Sequence, residues 1–214
     1  MRYSKDDRDK LMRRVSGVVT DLQQRYISNQ SSARGQLAKL RRAISNAPGA
    51  DPDVWNVVAR CLPQEMVGCY DEGITPGEWA AHIAVALFAV HQQSLEKPMH
   101  QVSDAKGAVF HGLGHAVNEL AYINKKNQQG EELEPGEMPR RFSALVTAES
   151  IDEVAHYARQ IVQQLRSVEV PLDYGRLAGQ LYVFQYSYLR DRVRLEWARE
   201  FAQWRPQQDE KDEG

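Results

Sequence analysis

Apolar residues recur three and four positions apart through most of this chain, a spacing that places them on one face of an α-helix. The first such stretch runs from about Asp6 to Ser28, where Leu11, Val15 and Leu22 fall on one stripe. Alternating strand patterns, internal repeats and coiled-coil heptads are absent from the sequence. We therefore predict an all-α fold of roughly eight to nine helices with no sheet. The other predicted helices span about 34–46, Pro52–Leu62, Pro76–Leu95, Asp104–Lys126, Arg140–Val146, Ile151–Arg166, Tyr174–Ser187 and Arg190–Trp204.

One segment interrupts this helical pattern. Residues 96–103 lose the periodicity and contain Pro98, which is typical of a connection between packed units. We predict an N-terminal helical bundle over residues 1–100 and a C-terminal bundle over 104–205. Residues 206–214 are polar and are expected to form a disordered tail.

Composition places the chain among ordinary globular proteins, with 42% hydrophobic and 26% charged residues. No apolar run approaches the roughly 18 residues that a membrane helix needs. The N-terminus carries no apolar signal core, so we expect a cytoplasmic protein in which Cys61 and Cys69 are reduced.

The net charge of −2 conceals a strong asymmetry along the chain. Residues 1–50 contain eleven Lys and Arg against four Asp and Glu, whereas residues 51–106 contain three against eight. Because a phosphate backbone responds to the local field, the distribution is more informative than the total.

The predicted basic helix at 34–46 carries most of this asymmetry. No carboxylate occurs between Asp21 and Asp51, so its cations have no partner close in sequence. An ordinary solvated helix usually interleaves both signs, and the missing acids favour an anionic partner outside the chain. An ordinary solvated face is the alternative. The candidate binding residues of this helix are Arg34, Lys39, Arg41 and Arg42.

Two further arginine clusters are candidates. Arg140 and Arg141 occupy the first turn of a predicted helix, where the helix dipole favours anions, so bound phosphate would rationalise them. Pairing with Glu134 and Glu137 in the preceding loop is the alternative. In the last helix the candidates are Arg190, Arg192 and Arg194, although Glu196 is spaced to pair with Arg192.

Enzymatic chemistry finds little support. His111 and His115 have a metal-ligand spacing on a helix, but Gly112 stands where a zinc protease has its glutamate base. Neither a phosphate-binding loop nor a nucleophile elbow is present. We predict no catalytic residues, metal or cofactor, and keep a metal-dependent hydrolase as a third hypothesis. The second hypothesis is a helical adaptor whose basic helix docks onto an acidic partner protein.

Two C-terminal segments carry a family resemblance. Val170-Pro171-Leu172-Asp173-Tyr174-Gly175-Arg176-Leu177, followed by Leu189-Arg190-Asp191-Arg192-Val193-Arg194, resembles the end of the CasB family. The basic helix and the Arg140-Arg141-Phe142 turn agree with that family in order and spacing. CasB proteins are the small subunit of the type I-E CRISPR surveillance complex, Cascade. The resemblance covers roughly residues 10–204.

The resemblance implies two packed helical bundles and a non-catalytic subunit, present as a paired copy among the other Cascade subunits. It also implies binding of crRNA, the target strand and the displaced non-target DNA, which stabilises the R-loop in antiviral defence. The nine candidate cations match the family's three basic segments. Two features depart from the family pattern: His115 replaces a basic residue, and residues 131–137 form an acidic insertion.

Overall fold

The computed structural model describes residues 2–69, 73–103, 110–127 and 138–204, and within them it shows nine α-helices and no strand. The all-α prediction is therefore confirmed. The predicted acidic insertion, the tail and residues 104–109 lie outside the described residues. The helices are α1 Lys5–Ile27, α2 Ser31–Ala43, α3 Pro52–Cys61, α4 Pro76–His91, α5 Leu113–Asn127, α6 Arg140–Val146, α7 Ile151–Ser167, α8 Tyr174–Phe184 and α9 Arg190–Gln203.

The observed helix boundaries agree best with the predicted ones where capping residues mark the start of the helix. Thr75 and Glu78 form the predicted capping box of α4, and Asp51 caps α3 through the backbone N–H groups of residues 53 and 54. The predicted end of α4 at Leu95 is wrong, since the helix ends at His91. Ser94, with φ of +62°, adopts a left-handed conformation that a helix cannot continue through.

The basic helix and α5 also differ from their predicted limits. Helix α2 runs over Ser31–Ala43 rather than 34–46, and the carbonyl of Ala43 accepts a hydrogen bond from the Nε2 of His82 at 2.9 Å. Helix α5 begins at Leu113, so the predicted start at Asp104 is not observed in the described residues that precede it. Residues 110–112 are not helical.

Buried apolar side chains from all nine helices form one hydrophobic core. Helix α4 lies at its centre and is buried around most of its circumference, as its sequence predicts. Helix α1 packs along α8, where a Cβ on Gly175 would lie 2.6 Å from the carbonyl of Met12 and one on Gly179 would lie 2.5 Å from its side chain. The close approach of these two helices therefore depends on glycine.

The segment predicted to separate two bundles is bonded to both halves of the chain. The backbone of His100 exchanges hydrogen bonds with the side chain of Gln23 on α1, at 2.7 and 3.1 Å. Leu172 donates its backbone N–H to the carbonyl of Met99 at 3.0 Å. The division into two bundles stays a prediction, and the core is continuous across it.

Among the described helices, none is both long and apolar enough to cross a membrane.

Candidate nucleic-acid interface

The end of α2 and the outer side of α7 form one arginine surface. Burial lowers the pKa of Arg41, and the neighbouring charges of Arg42 and Arg166 lower it further. Arg166 is held by a hydrogen bond from its Nη1 to Gln93 at 3.1 Å. Arg159 lies seven residues before Arg166, two helical turns away on the same side of α7. We call Arg41, Arg42, Arg159 and Arg166 the α2–α7 face.

No member of the α2–α7 face forms an ion pair with a described carboxylate. Residues 154–168 contain neither Asp nor Glu, so the acids of α7 are confined to Asp152 and Glu153 in its first turn. Asp152 is the carboxylate that shares a cavity rim with Arg159. The surface is therefore a concentration of uncompensated positive charge, which attracts anions.

Arg159 and Arg166 are not among the binding residues predicted from the sequence. Residues 154–168 nevertheless carry the same signal as the basic helix, because they too lack carboxylates. Arg166 comes near Arg41 only in the folded chain, since more than 110 residues separate them, and Arg159 shares a cavity with the residues that follow α2.

Arg34 and Lys39 of the basic helix are different, and for Lys39 the expectation of an unpartnered cation is wrong. Lys39 forms an ion pair with Asp53 at the start of α3, and Arg25 on the preceding helix α1 pairs with Asp21 at 3.0 Å. Arg34 donates a hydrogen bond to the side chain of Asn29. The absence of acids close in sequence did not exclude them, because the fold brings α3 beside α2.

The second predicted cluster lies on α6, which packs against α7. The Nε of Arg141 donates to Oε1 of Gln160 at 2.9 Å. Arg140, Arg141 and Gln164 border a surface cavity of about 400 Å³. The alternative partners Glu134 and Glu137 lie outside the described residues.

In the third cluster, two of the three arginines are engaged. Glu149 accepts hydrogen bonds from Arg190 at 2.7 Å and from Arg194 at 2.5 Å. These arginines hold the pKa of Glu149 below its usual value, Arg194 having the larger effect. Arg194 also binds the carbonyl of Ala148 at 2.6 Å, and the guanidinium of Arg190 lies over the ring of Phe184. The contacts are those of a structural junction between α9 and the start of α7.

Arg192 is exposed and forms no ion pair with a described residue, so its predicted pairing with Glu196 is wrong. Glu196 instead pairs with Arg176 of α8 at 2.5 Å. Arg176 also binds Glu200, which is 3% exposed and accepts further bonds from Gln180 and the backbone of Gly114. Burial raises the pKa of Glu200 while Arg176 opposes the shift. A desolvated network of this kind holds its partners firmly.

The histidine pair does not have the geometry of a metal site. His111 precedes α5, whereas His115 lies within it, so the two rings do not share a helix face. Burial is the main cause that lowers the pKa of both. The described residues contain no cluster of three metal-ligating side chains.

Comparison with known proteins agrees with this architecture. The family model of the CRISPR-associated protein Cse2 matches residues 36–201. The crystal structure of CasB from Thermobifida fusca is similar, with a TM-score of 0.68 and 29% sequence identity. The alignment covers 90% of this chain and 98% of that one. A search of curated proteins finds no match. The chain belongs to the CasB (Cse2) family, the small subunit of the type I-E CRISPR complex Cascade.

Proposed function

We propose that this protein is a non-catalytic Cascade subunit that binds nucleic acid without sequence preference and stabilises the R-loop in the cytoplasm. The observation that carries the proposal is the α2–α7 face, four arginines from two helices with no described carboxylate paired to them. Arginine suits this role because its planar guanidinium can donate two parallel hydrogen bonds to a phosphate. Arg140 and Arg141 extend the same surface across α7.

Weak contacts suffice for such a role. In an R-loop the RNA–DNA duplex is about as stable as the DNA duplex that it replaces, so a few backbone contacts can tip the balance. The α2–α7 face carries phosphate-binding chemistry and no arrangement specific for one base sequence. It therefore fits the sugar–phosphate backbone of crRNA, target strand or displaced strand.

Partner contacts within Cascade form the second part of the proposal. Helix α9 exposes Leu195, 48% accessible, between Arg192 and Arg199, which form no ion pairs with described residues. Tyr188, 68% accessible, precedes this helix. An apolar side chain surrounded by unpaired cations suits an interface with an acidic surface, either another subunit or a second copy of this chain.

The test is fluorescence anisotropy of labelled DNA mixed with the purified chain, begun at low salt and repeated as salt is raised. We expect single strands and duplexes of unrelated sequence to bind with comparable affinity. The logarithm of affinity should fall by roughly 0.7 to 0.9 per phosphate contact for each logarithmic unit of salt. Binding confined to one sequence, or no binding at low salt, would contradict the proposal. The second result would favour an adaptor that meets protein only.

A further inference from the structure

A cavity opens beside the α2–α7 face, between the end of α2, the first turns of α4 and the start of α7. Its volume is about 340 Å³, within the range of roughly 300–1,000 Å³ typical of small-molecule sites. Ile44 and Ile83, both buried, contribute apolar walls, and the half-buried Trp79 adds an indole to the lining. The cavity is therefore large enough for a flat heterocycle and has an aromatic wall.

The wall is held in place rather than loosely exposed. Trp79 is half-buried in the first turns of α4, directly after the capping box, and its ring meets the edge of His82 at 6.4 Å between centroids. His82 is itself fixed by its hydrogen bond to the carbonyl of Ala43. An indole whose neighbours are anchored needs little reorganisation to receive a stacked ring.

Polar groups line the rest of the cavity. Asn46 supplies an amide that can both donate and accept, and Asp152 supplies a carboxylate that accepts. Arg159 belongs to both the cavity and the α2–α7 face. A ligand in the cavity is consequently placed next to a row of phosphate-binding groups that continues to Arg166 and Arg41.

We propose that this cavity takes one unstacked base of a single-stranded nucleic acid, stacked on Trp79, while the adjoining phosphates lie on the arginines of the α2–α7 face. The inference rests on the proposed function and adds a base-binding element to it. A cavity that combines an aromatic wall with a carboxylate does not suit a bare phosphate, whereas every nucleobase offers a flat π-face to an indole. The carboxylate of Asp152, unfavourable beside a phosphate, can accept a hydrogen bond from an N–H group of a base, such as the N3–H of thymine.

The experiment compares two single strands of equal length and charge: an oligothymidine and a fully abasic strand with the same sugar–phosphate backbone. Anisotropy is measured for wild type and for Trp79→Leu, which keeps an apolar side chain but removes the stacking surface. One aromatic stack is worth about 5- to 150-fold in affinity. We expect wild type to prefer oligothymidine by at least about fivefold, and Trp79→Leu to bind both strands with the affinity that wild type has for the abasic one.

Two further variants separate stacking from folding. Trp79→Phe should restore most of the preference, because phenylalanine also stacks. Ser45→Leu, at an exposed position on the rim, should abolish the preference by filling the cavity with a side chain that has no stacking face, without altering the core. It serves as the decisive variant if Trp79→Leu lowers the unfolding midpoint severely.

The outcomes distinguish the two proposals. Equal affinity of wild type for both strands, with steep salt dependence, would overturn the base pocket and leave the proposed function intact. Equal weakening of both strands by Trp79→Leu in a folded protein would likewise overturn it. Absence of binding to either strand at low salt would overturn both.

Discussion

The Arg41-Arg42 pair of the α2–α7 face and the arginine run of α9 look alike in sequence but differ in what surrounds their guanidinium groups. On α9, Arg190 and Arg194 are each about one-fifth exposed and converge on Glu149. On the α2–α7 face, Arg41 and Arg166 approach each other with no described carboxylate bonded to either. Like charges held together cost free energy, whereas an arginine pair around one carboxylate is mutually stabilising.

The difference teaches that arginine density does not by itself identify a binding surface. A guanidinium already satisfied by a carboxylate must lose that partner before it can bind phosphate. A guanidinium that is repelled by neighbouring cations is relieved of that repulsion when it binds phosphate. We therefore rank the α2–α7 face first as a nucleic-acid surface and treat Arg190 and Arg194 as structural, although the matching family segment includes them.

The largest expected effect concerns how α9 is held. In Gly114→Ala the new Cβ would lie 2.2 Å from the carbonyl of Trp197 and 2.6 Å from the nitrogen of Phe201, both backbone atoms of α9. Since neither helix can yield locally, we expect a loss of about 3 kcal/mol in the free energy of unfolding, measured by urea denaturation. Gly17→Ala on α1 is the matched control, because nothing lies within 4 Å of its added Cβ. It should stabilise by about 0.4–1 kcal/mol. Equal effects at both sites would show that α5 and α9 are loosely packed.

The next effect tests the α2–α7 face directly. Reversing two charges in Arg41→Glu/Arg42→Glu should weaken binding of DNA roughly 30-fold at low salt and reduce the salt slope by about one to two units. Lys39→Glu is the control on the same helix. Its ammonium already pairs with Asp53. We therefore expect Lys39→Glu to lose less DNA affinity than Arg41→Glu or Arg42→Glu measured alone. Anisotropy titrations at three salt concentrations provide the measurement, and a greater loss for Lys39→Glu would reverse the ranking.

Removing the two arginines of α7 should cause a smaller loss of DNA affinity. Arg159→Gln/Arg166→Gln removes two charges without reversing them, and we expect roughly five- to tenfold weaker binding of single-stranded DNA. Arg190→Gln/Arg194→Gln is the matched double variant on α9, for which we expect an affinity within about twofold of wild type. If the α9 variant binds more weakly than the α7 variant, the comparison between the two surfaces fails.

The smallest effect concerns Glu149. Its pKa in the folded protein lies below the ordinary value of 4.5, so its stabilising contribution is present above that value and disappears as the pH falls through the lower folded pKa. Glu149→Gln should therefore lower the unfolding midpoint by no more than about 2–4 °C at pH 7. The difference from wild type should shrink in thermal scans as the pH falls below 4.5 and vanish once the pH lies below the folded pKa of Glu149. A large gain in DNA affinity for this variant would show that Arg190 and Arg194 bind DNA once Glu149 no longer pairs with them.

Local signals explain what the sequence predicted well. Helix α6 begins and ends where predicted, and the start of α4 follows from its Thr75–Glu78 capping box. The apolar character of the α4 segment correctly predicted that this helix lies at the centre of the core. Family membership also followed from short segments in the right order, and the match to the Cse2 family confirmed it.

The candidate site was harder to predict, because electrostatic partners are tertiary. Lys39 meets Asp53 across a helix pair, and Glu149 meets two arginines more than 40 residues away. Arg159 and Arg166 join the face only because α7 packs beside α4 and the end of α2. Periodicity assigns a residue to a helix face but does not identify the helix that faces it.

The packing of α1 along α8 has a consequence for the order of events during synthesis. The two helices are separated by nearly 150 residues, yet α1 buries Leu11 and Val15 in the core that α8 helps to form. A growing chain presents that apolar stripe long before Gly175 and Gly179 leave the ribosome. Completion of the core is therefore a late, long-range step. Truncation before α8 should leave a chain that aggregates through α1 rather than a smaller folded domain.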